Sequence, residues 1–118
     1  MLQKRERLAK TRDFQNVFKE GRSIRGQGIV LKLRQREAQG NRFAIVVSKK
    51  VAQKAVKRNR IRRLLSEAIR TTMQHIESAP QGIDAILIVL PEFKAQNLKE
   101  AKDIVAQLFH KAFILKPQ

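Results

Sequence analysis

The chain has 118 residues, enough for one domain with a real core, and 42% of them are hydrophobic, which excludes general disorder. Its 26 Lys and Arg against 10 Asp and Glu leave a net charge of +16, so the expected partner is a polyanion, nucleic acid before an anionic membrane. There is no cysteine, which removes disulfides and thiolate metal sites, and no apolar run is long enough to span a bilayer.

The first ten residues, MLQKRERLAK, lack the apolar core of a signal peptide. They read as an extended basic arm with Leu8 tucked in, and a cytoplasmic location is the expectation. In TRDFQNVFKEG, Thr11 can cap a short helix, Asp13 suits its first turn, and Gly21 suits a left-handed stop. Phe14, Val17 and Phe18 share one face of that helix; the plain reading puts both rings in the core, the sharper one puts a ring in a groove.

Gly26 and Gly28 open a strand in which Ile29, Leu31 and Leu33 alternate with Val30, Lys32, Arg34 and Arg36. Its cations, all on one side, suit a surface that tracks a phosphate backbone. A Gly-Asn turn within Ala38–Asn41 then predicts a hairpin to a second strand, Phe43–Ser48, apolar on both faces and therefore more central.

The stretch Lys54–Arg70 dominates the chain. Ile61, Leu64, Leu65, Ala68 and Ile69 make one helical stripe, which Met73 extends. A strand would send Leu64 and Leu65 to opposite faces, so a helix is the only consistent reading. Its back carries Lys54, Lys57, Arg58, Arg60, Arg62, Arg63 and Arg70 against Glu67 alone. Arginine offers phosphate a two-pronged contact, and Asn59 adds an amide able to reach a base edge or a sugar hydroxyl.

The helix fades near Thr71–Glu77, and Ser78–Gly82 is a loop. Ile83–Leu90 is a buried strand stopped by Pro91. Asn97 with Glu100 caps a last helix, whose stripe is Leu98, Ala101, Ile104, Val105, Leu108, Phe109, Ala112 and Phe113. The expected fold class is α+β, a single-domain α/β sandwich over residues 1–118 in the order α-β-β-α-β-α, with the last strand able to run parallel to the second.

No catalytic constellation is visible. The carboxylates read as scattered over loops and outer helix faces, His75 and His110 lack metal-ligand spacing, and there is no phosphate-binding glycine loop.

The segment Lys57-Arg58-Asn59-Arg60-Ile61-Arg62-Arg63-Leu64 resembles the RNR signature of the bacterial ribonuclease P protein family. Asp13-Phe14, Val17-Phe18, Gly21, Val47-Ser48-Lys49-Lys50, Ala55-Val56 and the strand Asp84–Leu90 extend the resemblance over most of the chain. It implies a fold similar to the ribosomal protein S5 domain 2-like sandwich, with a left-handed crossover. It implies a protein subunit of the ribonucleoprotein endonuclease that removes the 5′ leader from precursor tRNA.

In that family the RNA subunit is catalytic and holds most of the Mg2+. The protein alone is not catalytic; it broadens substrate use and lowers magnesium demand. By position, Lys54, Lys57, Arg58, Asn59, Arg60, Arg62 and Arg63 would bind the catalytic RNA. Phe14, Phe18, Val30, Lys32, Arg34, Ser48 and Lys49 would line or border the cleft for the leader. Lys32 stands where many members carry an aromatic, Ser66 where another cation is common, and Gln53 where glycine is common. Neither a membrane nor a small-molecule substrate is expected. The competing readings are a structural RNA-binding protein, such as a ribosomal one, and a protein-only nuclease.

Overall fold

The structure is a computed structural model that describes residues 2, 4–36, 40–75 and 82–114, without the side chains of residues 113 and 114. Most of the Ser78–Gly82 loop, part of the Ala38–Asn41 turn and the ring of Phe113 therefore lie outside the described residues.

Three helices pack on a four-stranded mixed sheet. The elements are α1 (Thr11–Glu20), β1 (Arg22–Gly26), β2 (Ile29–Gln35), β3 (Arg42–Val46), α2 (Ala55–His75), β4 (Ile83–Val89) and α3 (Leu98–Ile114). The sandwich architecture is as expected, with one strand more than the sequence revealed: β1, whose RSIRG has a single apolar residue.

The sheet order is β1-β2-β4-β3. The expected hairpin between Ile29–Arg36 and Phe43–Ser48 does not form; β4 lies between those strands, antiparallel to β2 and parallel to β3. The hairpin is instead β1-β2, turning at Gln27 and Gly28 with positive φ of 48° and 84°. Two left-handed residues in succession match the twist of a tight hairpin. A Cβ on Gly28 would also meet the backbone nitrogen of Phe93 at 2.5 Å, so only glycine fits.

β4 holds the centre, as its run of apolar residues requires. β3 is an edge strand, contrary to the central place its composition suggested. Its outer flank is closed by the N-terminal segment: Arg7 bridges Phe43, and the Leu8 amide donates to the Phe43 carbonyl at 2.8 Å. That segment carries one 3-10 turn, Lys4–Glu6, and buries Leu2 and Leu8.

Alternation along the strands divides the core. Ile29, Leu31, Leu33, Phe43, Ala85 and Leu87 face α2 and α3, meeting Leu65, Ala68, Ile69, Val105 and Phe109. The rings of Phe43 and Phe109 stack with centroids 6.0 Å apart. On the opposite face Ala44 and Ile86 meet Leu8 and Val17, with Phe14 and Ile88 packed alongside. That smaller cluster holds α1, a ten-residue helix too short to persist undocked.

Two helix ends differ from expectation. The N-cap of α1 is Lys10 without a side-chain bond, so Thr11 is the first helical residue and caps nothing. Gly21 is extended, with φ −82°, and is no left-handed stop. Its smallness serves close approach, since a Cβ there would lie 2.7 Å from the Leu33 carbonyl oxygen. On α3 the expected cap is present: the Glu100 amide donates to Asn97 Oδ1 at 2.9 Å. The Glu100 carboxylate accepts from the Gln96 amide, one residue upstream of the expected reciprocal bond.

Candidate nucleic-acid interface

Register fixes what lies beneath α1. On that face of the sheet, Val30 of β2 aligns with Ile88 of β4 and Val46 of β3. The next row is Lys32, Ile86 and Ala44, and the third is Arg34, Asp84 and Arg42. From β1, Arg25 extends the first row and Ser23 the second.

α1 covers the second and third rows and leaves the first open. Val30 and Ile88 are half-buried, and Val46 is 38% exposed. Phe18 overlooks this strip from the helix with half of its surface exposed, while Phe14 is half-buried. The strip is thus an apolar floor with an aromatic wall, suited to unstacked bases. Lys32 stands at its margin, its ammonium donating to Ser23 Oγ at 2.9 Å and lying 5.6 Å from the centre of the Phe18 ring. A cation at that distance over a ring face is attracted by it. Ser48 and Lys49 follow β3 and are exposed.

Arg34, on the third row, is engaged within the chain, its Nε donating to Glu20 Oε2 at 2.8 Å. Ile88, Val46, Ser23 and Arg25 complete the strip and its border without having been anticipated. Alternation from Arg42 gives the side of Val46, but the solidly apolar run of β4 does not single out Ile88, and the single apolar residue of β1 does not mark a strand.

The second surface is the back of α2. Lys54, Lys57, Asn59, Arg60 and Arg63 are exposed, and Arg58 and Arg62 are half-buried. Asn59, Arg60 and Arg63 point away from the buried Leu65, Ala68 and Ile69, as helical spacing demands. Arg62 points to the flank nearer β3, donating to Asn59 Oδ1 at 2.6 Å. Arg58 turns back on the loop before the helix and donates to the Ala52 and Gln53 carbonyls at 3.1 and 2.6 Å. Those two bonds tie the first turn of the helix to the loop that leads into it. Glu67 pairs with Arg70 at 3.0 Å, and that hydrogen bond is the largest of the causes that hold the carboxyl down at about 2.

A groove links α1 to α2. Phe14 of α1 and Arg62 of α2 line one groove of about 260 Å3, together with Arg7, Leu8, Ile45 and Ser66.

One carboxylate corrects the sequence reading. Asp84 sits on no loop or outer helix face; it is fully buried on β4. Arg42 donates to both of its oxygens at 2.8 Å, and Arg36 Nε lies 3.0 Å from Oδ1. Arg42 also reaches Asp13 of α1 at 3.2 Å. The hydrogen bonds to Asp84 hold the Arg42 guanidinium above its ordinary value. A buried acid that is doubly paired is structural chemistry, not a poised base. Among the described residues no group of three or more His, Asp or Glu side chains comes together as a metal cage. No described helix is long and apolar enough to cross a membrane.

A family model described as ribonuclease P matches residues 2–113. The ribonuclease P protein component of Synechocystis sp. is 36% identical to this chain, covering 97% of it and 90% of that protein. The component from Dictyoglomus thermophilum is 35% identical, covering 98% and 94%. The structure of the Thermotoga maritima RNase P protein superposes with a TM-score of 0.74 at 30% identity, covering 91% of this chain and 97% of that one. The Staphylococcus aureus RNase P protein gives a TM-score of 0.74 at 26% identity, covering 94% and 98%.

Proposed function

The chain belongs to the ribonuclease P protein family, and from that premise we propose how its two surfaces divide the work. It is a protein subunit of the ribonucleoprotein that trims the 5′ leader from precursor tRNA, and its partner is the ribonuclease P RNA. The back of α2 binds that RNA through its phosphates, using Lys54, Lys57, Arg58, Asn59, Arg60, Arg62 and Arg63. The strip beside α1 receives the single-stranded leader, with bases over Val30, Ile88 and Val46 and against Phe18. Lys32, Ser48 and Lys49 attend its phosphates.

The observation that carries this reading is the common groove of Phe14 and Arg62. An RNA lying on α2 and a strand lying in the strip would approach each other there, as a catalytic RNA and the leader it cuts must. Mg2+ supplies the chemistry of hydrolysis, and on this reading the RNA subunit holds it. Among the described residues no side chains come together as a metal cage, and no step is assigned to a protein-held ion.

Reconstitution tests the proposal. With the cognate RNA subunit at low magnesium, adding the protein should accelerate cleavage of precursor tRNA. The gain should grow as the leader is lengthened from none to several nucleotides. Equal stimulation with and without a leader would refute the role of the strip.

A further inference from the structure

Helix α1 lies across the strands, fastened at both ends to one row of the sheet. Near its start Asp13 meets Arg42 of β3 at 3.2 Å, and at its last residue Glu20 meets Arg34 of β2 at 2.8 Å. Arg34 and Arg42 both align with Asp84 on the strand between them. Seven residues of α-helix rise about 10.5 Å. Two inter-strand spacings are about 9.6 Å. Asp13 and Glu20 are seven residues apart, so the helix spans the gap between its two arginines without stretching.

The same spacing fixes the roll of the helix. Asp13 and Glu20 fall within about 20° of each other around the axis, Val17 about 40° further round, and Phe14 and Phe18 at about 100° and 140°. With the acidic pair turned to the third row, Val17 drops onto Ile86 and Ala44, where it is buried. The two rings then face the open strip. Loosening the acidic pair frees the helix to roll and the aromatic wall to tilt.

We infer that Asp13 and Glu20, through Arg42 and Arg34, set the width of the leader cleft. They are positioning residues, since they act through α1 and touch no substrate. Arg34, assigned to the cleft by resemblance, belongs to this strut. Asp84 anchors it from below, holding Arg42 in line with Asp13. The inference rests on the leader-binding reading of the strip.

The test is the holoenzyme, assembled from the full-length chain and its cognate RNA subunit. Affinity is measured for precursor tRNA and for the same tRNA without a leader, and their ratio is the leader advantage. In the double variant Asp13→Asn, Glu20→Gln, that ratio should fall roughly three- to tenfold. Affinity for the leaderless tRNA and for the RNA subunit should hold. Charge alone predicts the opposite, because removing two carboxylates makes a basic protein more basic and its grip on RNA tighter.

Glu20→Gln alone, at a side chain 57% exposed where folding is not at stake, should give a smaller fall in the same direction. Glu20→Asp, which keeps the charge, should recover most of it. A ratio unchanged or raised in both the single Glu20→Gln variant and the double variant overturns the strut, as does an equal loss on both substrates. If the unmodified protein itself shows no leader advantage, the cleft reading fails first and the inference with it.

Discussion

Arg42 and Asp84 are locked side by side on neighbouring parallel strands, Nε to Oδ1 and Nη2 to Oδ2, both at 2.8 Å. The acid is fully buried and the two hydrogen bonds are parallel, the strong two-pronged form of an ion pair. Arg42→Ala leaves Asp84 to Arg36 alone and should cost about 3–5 kcal/mol of stability. The more exposed Arg34–Glu20 pair is worth at most about 1 kcal/mol, so Arg34→Ala should barely move the unfolding midpoint. Urea denaturation of the two variants measures the contrast, and equal losses would contradict it.

Leu65 and Leu64 are neighbours in sequence with different fates. Leu65 is fully buried, whereas Leu64 is only half-buried, although both belong to the apolar stripe. Leu65→Ala should cost about 2–5 kcal/mol, and Leu64→Ala clearly less. Guanidinium melts of the two variants give the ranking.

The two rings of α1 should separate binding from folding. Phe18 is half exposed and Phe14 packs on the smaller core cluster. Phe18→Ala should leave the melting temperature nearly unchanged while costing leader binding about 1–3 kcal/mol, the worth of one stacked base. Phe14→Ala should lower both. A Phe18→Ala protein that binds leader normally would remove the aromatic wall from the account.

Salt dependence distinguishes the arginines of α2. Arg60 and Arg63 are exposed, and no hydrogen bond ties them to the rest of the chain among those described. Replacing either with Ala should flatten the plot of log affinity for the RNA subunit against log salt by about one. Arg58→Ala should do that and also slacken the loop whose carbonyls it holds, seen as faster amide exchange at Gln53 and Lys54.

The Glu67–Arg70 pair gives a pH prediction. The hydrogen bond from Arg70 is the largest cause that holds the Glu67 carboxyl at about 2, below its ordinary 4.5. A depressed acid contributes its stability above the unfolded value, and that contribution disappears as pH falls through the folded one. The pair should therefore persist to pH values well below 4.5. Arg70→Ala should raise the Glu67 value towards 4.5, read by NMR titration of the side-chain carboxyl.

Strong periodicity made much of the molecule readable. The 3.6-residue stripe of α2, the alternation of β2 and the apolar run of β4 each determine an element by local physics. What escaped depends on pairing across long stretches of chain. β1 carries one apolar residue, Ile24, and is a strand because β2 supplies its hydrogen bonds. The order of β2, β4 and β3 required β4, which follows the whole of α2, to insert between two strands that precede it. For the same reason the cations of α2 could be assigned from its spacing, while the partners of Arg34 and Arg42 could not. One clue was present: an aspartate inside IDAILIV cannot be buried without a cation, and the basic residues of β2 and β3 were the available ones.

The seam between Leu8 and Phe43 has a practical consequence. An unpaired strand margin invites the same margin of another molecule, and from there fibres and precipitates. Here the first residues of the chain occupy that position themselves. Trimming them back past Leu8, as a shortened expression clone would, leaves the Phe43 carbonyl open to a neighbour and turns a self-sealed sheet into a sticky one.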